Sequence, residues 1–193
     1  MVASSTWAAP LATYTHNYGN GSGQVDPGGN DVLSNGYVTV SDQSSERFND
    51  AFDFGGLSVG AIDKFDLVLT YSRIDFPFFG LPVELWYARP GGTGDQYGSY
   101  KLNSVGNTAT SSTFTIDSTL DPEFGQMVAA KSFFFWFAEE TLLRDSFRLH
   151  NASLTVHGQA PVVHGSVVPE PGSIALLGIG LAGLGALRRR KPV

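Results

Sequence analysis

The stretch IDKFDLVLTYSR (residues 62–73) carries the clearest structural pattern in the chain, because apolar and polar side chains alternate along it. Its alternating apolar positions hold Phe65, Leu67, Leu69 and Tyr71, and the opposite positions hold Lys64, Asp66, Thr70 and Ser72. Successive side chains of an extended chain point to opposite faces, so this pattern predicts a half-buried strand of an antiparallel sheet.

Strand-like segments recur on both sides of this stretch, at residues 36–42, 82–89, 110–117, 132–139 and 146–158, with Gly and Pro between them. The 193 residues are 42% hydrophobic and 16% charged and include 23 Gly and 10 Pro, a composition typical of short strands and many turns. We therefore expect an all-β fold, an antiparallel β-sandwich of the jelly-roll or lectin-like kind.

Two of these segments carry further information about the core. SFFFWFAE (residues 132–139) is apolar on both faces, which predicts a central strand covered on both sides. In residues 146–158 the apolar alternation changes phase between Leu149 and Ala152. A β-bulge near Asn151 would keep both halves of that strand facing inward.

Charge and cysteine content exclude several classes of function. Residues 1–168 contain 8 Lys and Arg against 17 Asp and Glu, a net charge of −9, so nucleic acid is a poor partner. The chain has no Cys, which excludes disulfides, thiolate catalysis and cysteine-based zinc sites.

The segment VPEPGSIALLGIGLAGLGALRRRKPV (residues 168–193) combines prolines, an apolar stretch and a basic cluster. Residues 172–187 carry no charge, and a helix over these 16 residues would be about 24 Å long against about 30 Å for a bilayer core. The basic cluster would stay on the cytoplasmic side as a stop-transfer signal and consists of Arg188, Arg189, Arg190 and Lys191. This C-terminal hydrophobic helix would therefore hold the preceding residues outside the inner membrane.

The order of these three elements resembles the PEP-CTERM sorting signal, which exosortases recognise in Gram-negative bacteria. The resemblance covers about 25 residues, and an ordinary C-terminal membrane anchor is the alternative. It implies that Pro169, Glu170 and Pro171 form the processing motif, that a membrane-embedded exosortase is a transient partner, and that the helix is discarded. It also implies an inner-membrane-anchored precursor followed by a cell-surface or extracellular-matrix location.

These patterns divide the chain into four parts. Residues 1–12 are expected to be a signal-peptide remnant or a disordered N-terminus, and residues 13–158 the β-sandwich ectodomain. Residues 159–168 would form a linker, and residues 169–193 the sorting signal.

Aromatic residues suggest a carbohydrate-binding surface. Trp86 and Tyr87 precede a Gly-rich loop that holds Tyr97, with Tyr100 after it, and exposed rings of this kind stack on sugars. In a strand, however, one of Trp86 and Tyr87 must face the core.

The Gly-rich stretch GNGSGQVDPGGND (residues 19–31) offers hard oxygen ligands. Asp26 and Asp31 suit calcium, although a plain solvated loop explains the same composition. No other cofactor is indicated.

Catalytic motifs are weak. His16, His150, His157 and His164 are scattered without nucleophile or metal spacing, and we expect His150 and His157 to be ordinary surface residues. Glu139 and Glu140 are adjacent carboxylates, but neighbouring strand residues point to opposite faces and cannot flank one glycosidic bond.

The sequence thus favours a non-enzymatic, exported protein, structural or adhesive in an exopolysaccharide matrix. Two alternatives stay open: a carbohydrate-binding module, with or without calcium, and a glycoside-processing enzyme.

Overall fold

A computed structural model describes residues 9–58, 60–74, 85–91, 100–140 and 145–159. Within these residues the chain forms ten strands and one short helix. In chain order they are β1 (Ala9–Asn17), β2 (Val32–Ser34), β3 (Tyr37–Ser41), β4 (Asn49–Asp53), β5 (Ala61–Ser72), β6 (Trp86–Pro90), β7 (Tyr100–Lys101), β8 (Thr110–Ile116), α1 (Phe124–Ala130), β9 (Ser132–Glu139) and β10 (Ser146–Gln159).

The strands form two antiparallel sheets. The six-stranded sheet has the order β2-β3-β10-β5-β8, with β1 also paired to β10, and the four-stranded sheet has the order β4-β9-β6-β7. The sheets make a sandwich-like arrangement, which confirms the all-β, antiparallel fold predicted from the sequence.

Strand β5 is the predicted half-buried strand. The side chains at its four alternating apolar positions are fully buried, and they pair in register with β10 on one side and β8 on the other. The polar positions between them face the outside of the six-stranded sheet, as the alternation requires.

The predicted β-bulge lies in β10, where the register against β5 shifts between Leu149 and Asn151. Because the bulge inserts one extra residue, Phe147 and Leu149 before it and Ala152 after it all face the core. The bulge also marks a change of partner, since β10 pairs with β3 up to Leu149 and with β1 from Asn151 onward.

The core between the sheets is rich in aromatic rings. Phe65 of β5 meets Phe133 of β9 with ring centroids 5.3 Å apart, and Phe147 of β10 meets Phe137 of β9 at 5.0 Å. Strand β9 lies between β4 and β6 and is buried at most of its positions, so the prediction of a covered central strand is confirmed.

Helix α1 is an element that the sequence analysis missed. It spans two turns, buries Phe124 and Met127, and places the ring of Phe124 5.3 Å from that of Phe65. It ends at Lys131, whose φ of 52° is left-handed, immediately before β9.

The N-terminal boundary needs a correction. The first strand begins at Ala9 rather than after residue 12, because Ala9, Pro10 and Ala12 pair with Gly158, His157 and Val156 of β10. Backbone pairing with β10 thus makes residues 9–12 part of the sandwich, although they were expected to lie outside it. The predicted linker after residue 159 and the C-terminal hydrophobic helix lie outside the described residues.

Candidate functional site

Four aromatic residues were expected to form a glycan surface, and the structure separates the three that it describes. Trp86 is 2% exposed and packs in the core with its ring centroid 4.9 Å from that of Phe147. Tyr87 lies on the outer face of β6 and is half-buried. Tyr97 lies outside the described residues.

Tyr100 also turns toward the core. It pairs with Ala88, a buried residue of β6, and its ring centroid is 5.6 Å from that of Phe114. Burial, together with the negative charges of Asp121 and Asp117, raises the pKa of the Tyr100 hydroxyl to about 12. Of the described members of the predicted set, Tyr87 is therefore the one on an outer sheet face.

The Gly-rich loop of residues 19–31 is tied down by hydrogen bonds. The Gln24 side-chain oxygen accepts from the backbone N–H groups of Gly21 and Gly36, at 2.7 and 3.1 Å. Asp26 is exposed, whereas Asp31 is half-buried and accepts a hydrogen bond from the Ser41 N–H at 3.0 Å. Burial raises the pKa of Asp31 to about 6 despite that hydrogen bond. Calcium at this loop stays a prediction.

Within the described parts of the chain, no three His, Asp or Glu side chains come together as a metal site would require. Each described histidine instead contacts another part of the fold. His150 lies in β10, and its Nε2 is 2.9 Å from Ser72 Oγ while its Nδ1 is 3.1 Å from the Gly36 carbonyl oxygen. His157 Nε2 lies 2.8 Å from Asp66 Oδ2 and its side chain is 13% exposed. His150 and His157 are therefore not ordinary surface residues.

A cluster of three polar side chains joins the edge strands β1 and β4. Asp50 Oδ2 is 2.7 Å from His16 Nδ1 and accepts a hydrogen bond of 2.5 Å from the buried Tyr18 hydroxyl. The His16 ring lies 4.4 Å from that of Phe52. Burial, followed by the charge and hydrogen bond of Asp50, raises the pKa of Tyr18 well above its ordinary value. No sequence pattern predicts this cluster, because Asp50 is far from the other two residues along the chain.

The outer face of the four-stranded sheet carries a second group that the sequence analysis missed. Register places Asn49, Trp136 and Arg89 side by side across β4, β9 and β6. We call this face the Trp136 patch, and it comprises Arg47, Asn49, Tyr87, Arg89, Phe134 and Trp136.

Two guanidinium groups flank the indole ring of the Trp136 patch. The Cζ atoms of Arg47 and Arg89 lie 5.4 and 5.6 Å from the Trp136 ring centroid, within cation–π range. Arg89 is nearly buried and forms an ion pair with Glu140. Arg47 is exposed, and no carboxylate of the described residues lies within ion-pair distance of it.

A small, mostly apolar pocket opens beside the ring. It has a volume of about 140 Å³ and is lined by Arg47, Phe48, Asn49, Phe134 and Trp136. The Asn49 side chain donates to the Arg47 carbonyl oxygen at 3.2 Å, which holds the backbone at the rim.

The outer face of the six-stranded sheet is different in chemistry. Hydroxyl groups pair across its strands, as in Thr13 with Thr155 at 3.1 Å and Thr15 with Ser153 at 2.9 Å. At one end Asp66 accepts hydrogen bonds from Lys64 and Thr115. Burial alone would raise the pKa of Asp66, but these bonds and the nearby positive charges hold it below its ordinary value.

The adjacent carboxylates Glu139 and Glu140 diverge, as expected from their positions in the chain. Glu139 ends β9 opposite Trp86 and lines an inner cleft with Phe137, whereas Glu140 reaches Arg89 on the outer face.

Comparison with known proteins concerns mainly the end of the chain. Residues 167–191 match the family model described as "PEP-CTERM protein-sorting motif". The chain carries a PEP-CTERM sorting motif. This motif implies processing by an exosortase and export to the cell surface or the extracellular space. The predicted processing residues Pro169, Glu170 and Pro171, and the basic residues 188–191, lie outside the described residues.

Solved structures similar to the sandwich include two of the Tobacco streak virus coat protein. One is 17% identical, covers 72% of this chain and 96% of the coat protein, and has a TM-score of 0.28. The other, a coat protein dimer, is 16% identical over 73% and 98% of the two chains, with a TM-score of 0.27. With values this low, the fold assignment rests on the strand pairing alone.

No curated protein matches the chain. Among the residues that the structure describes, no helix is long and apolar enough to cross a bilayer.

Proposed function

We propose that the chain is a surface or matrix protein that an exosortase processes at Pro169, Glu170 and Pro171. The observation that carries this proposal is the match of residues 167–191 to the PEP-CTERM motif. Before processing, residues 172–187 would sit in the inner membrane and the basic residues 188–191 would remain in the cytoplasm. After processing, the sandwich would be released to the cell surface or the surrounding exopolysaccharide.

In that location the sandwich acts without catalysis, as a structural or adhesive component. The polar groups most able to do chemistry are instead engaged in holding strands together: His16 with Asp50, His150 with Ser72, and Arg89 with Glu140. A glycoside-processing role is less well supported, because Glu139 and Glu140 face opposite sides of β9.

Fractionation tests the sorting step. The full chain is expressed in a Gram-negative host with an exosortase and in the same host without it, beside a Glu170→Ala variant. A matched control is Glu46→Ala, which changes an exposed acid in the folded region. We expect wild type and Glu46→Ala to reach the surface or matrix fraction only when the exosortase is present, and Glu170→Ala to stay with the membranes.

The structural role is tested separately, in the producing bacterium. Deleting the gene should lower the cohesion of its extracellular matrix, and returning the wild-type gene should restore it. Unchanged matrix cohesion after deletion of the gene would refute the structural role but would not bear on the sorting step.

Carbohydrate binding is the second candidate function. The sequence predicted it from a set of aromatic residues of which Tyr87 belongs to the Trp136 patch. The specific observation that favours it is that patch, where rings, a guanidinium group and an amide surround one pocket.

A further inference from the structure

We propose that the pocket of the Trp136 patch binds a carboxylate-bearing sugar unit of an acidic polysaccharide. The inference rests on the proposed matrix role and gives it a ligand class. Its starting point is the exposed guanidinium group of Arg47, which lies over the Trp136 ring beside an apolar pocket.

Apolar walls make the pocket suitable for a sugar ring. Phe48, Phe134 and Trp136 provide most of its lining. Phe48 is 1% and Trp136 6% exposed, so the half-buried Phe134 offers most of the aromatic surface against which the C–H faces of a pyranose would pack. Its volume of about 140 Å³ is below the ~300–1,000 Å³ typical of pockets that enclose whole ligands. The pocket would therefore take one sugar unit of a polymer that passes over the outer face of the sheet.

The charge at the rim selects an acidic unit. Arg89 is neutralised by Glu140, but Arg47 has no carboxylate within ion-pair distance among the described residues. A guanidinium group can donate two parallel hydrogen bonds to a carboxylate, and such pairs are stronger than hydrogen bonds between neutral groups. An acidic sugar thus gives Arg47 an ion-pair partner that none of the residues described by the structure provides.

Local charge contrasts with the charge of the whole molecule. The chain has a net charge of −6, so an acidic polymer is repelled from most of its surface. The Trp136 patch contains two arginines, and Lys101 lies beside Tyr87 across the β6–β7 pair on the same outer face. An acidic polysaccharide would therefore be directed to this face rather than to the sheet with the hydroxyl pairs.

The arginine is positioned before any ligand arrives. The Asn49 side chain holds the Arg47 carbonyl oxygen at 3.2 Å, and Asn49 itself is fixed by two backbone hydrogen bonds with Gly28, at 2.8 and 3.1 Å. Because this backbone is already ordered, less conformational entropy is lost when the guanidinium group pairs with a carboxylate.

The test measures binding of the full chain to two matched polymers. Polygalacturonate carries one carboxylate on each sugar, and its fully methyl-esterified form has the same backbone without charge. The protein is kept in solution with a detergent that has no sugar headgroup, and affinity is measured by titration at low and high salt. We expect binding to the acid, no binding to the ester, and weaker binding at high salt.

The variants separate the pocket from general charge. Arg47→Ala should weaken binding by roughly tenfold or more, because it removes the charged partner of the carboxylate. The matched control is Arg148→Ala, since Arg148 also lies over an aromatic ring, that of Tyr37 at 4.5 Å, but on the other sheet. The control should bind as wild type does, and both variants should melt at the wild-type temperature.

Three results would overturn the proposal: no binding to polygalacturonate, equal binding to acid and ester, or equal effects of the two arginine variants. Intact-mass measurement of the protein exported from a host with the exosortase reports separately whether the C-terminal tail has been removed. A failure of sugar binding with normal processing would therefore refute this site alone, and a failure of processing would refute the proposed function.

Discussion

The guanidinium carbon of Arg47 lies 5.4 Å from the centroid of the Trp136 ring, although the two residues are far apart in the chain. The contact arises because β4 and β9 are neighbours in the four-stranded sheet, with Asn49 opposite Trp136. Arg47 lies two residues before Asn49, just outside β4. Its side chain is therefore on the same outer face of the four-stranded sheet as Asn49. Strand pairing thus forms the Trp136 patch, which no local sequence motif predicts.

Deleting Asn151 should be tolerated, whereas deleting Ser153 should not. Without Asn151 the apolar residues of β10 alternate regularly, and the pairing with β5 on both sides of the bulge is kept. Without Ser153, Leu154 and Val156 keep the phase of Phe147 and Leu149 only if the bulge is lost, which turns Asn151 inward and Ala152 outward.

Chemical denaturation followed by circular dichroism checks this pair of deletions. We expect the Asn151 deletion to lower the free energy of unfolding by about 1–2 kcal/mol and the Ser153 deletion to lower it by more than about 3 kcal/mol. Equal losses would contradict the role assigned to the bulge.

Trp86→Ala should destabilise the fold by about 3–5 kcal/mol, because the ring is buried and packs against Phe147. Trp86→Phe, which keeps an aromatic ring in place, should cost less. Urea unfolding of both variants measures the difference. Wild-type stability of Trp86→Ala would show that the ring does not belong to the core.

Asp50→Ala should lower the free energy of unfolding by about 2–4 kcal/mol, since it leaves the buried Tyr18 hydroxyl and His16 without their common acceptor. Tyr18→Phe removes one donor but leaves Asp50 with His16, so it should cost less. If both variants unfold at the same urea concentration as wild type, the cluster does not join β1 to β4 energetically.

Asp31→Asn should stabilise the protein at neutral pH but not at pH 4. Burial raises the folded-state pKa of Asp31 to about 6, so the folded chain holds its proton more tightly than the unfolded chain. Stability therefore falls as the pH rises from about 4 to about 6, and the loss, about 1–3 kcal/mol, is complete above that window.

Thermal melting at pH 4 and pH 7.5 tests this dependence. The asparagine variant should melt several degrees above wild type at pH 7.5, at about 2–4 °C per kcal/mol, and together with wild type at pH 4. The same difference in melting temperature between the two proteins at both pH values would contradict the raised pKa of Asp31.

Calcium provides a separate test of the same loop. If the ion binds Asp31 as the sequence predicts, calcium should raise the melting temperature of wild type at pH 7.5 and leave Asp31→Asn unchanged. If wild type has the same melting temperature with calcium and with a chelator, the calcium prediction is wrong.

Sequence patterns were sufficient for the fold where the signal is local. Alternation in residues 62–73 predicted β5 and its buried face, and the phase change in residues 146–158 predicted the bulge. Helix α1 was missed because it is only two turns long and its side-chain pattern is too short to show a helical period. The start of β1 at Ala9 was missed because its small residues resemble processed leader sequence, and only pairing with β10 reveals the strand.

The surface residues were much harder to predict. Alternation required one of Trp86 and Tyr87 to face inward, but it could not determine which, and the structure places Trp86 inside. Trp136 lay in a segment that is apolar throughout, so the pattern did not show that it lies on the outer face of its sheet, where it is 6% exposed. The PEP-CTERM motif was found because it is contiguous, whereas both the Trp136 patch and the Asp50 cluster depend on strand pairing.

Intact-mass measurement of the exported protein shows whether an exosortase removes the C-terminal tail. In a host with the exosortase we predict a mature chain that ends within or beside residues 169–171 and lacks the apolar and basic residues after them. In a host without it, and for Glu170→Ala, the tail should remain. An exported wild-type protein whose mass still includes the sequence through Val193 would refute processing by the exosortase.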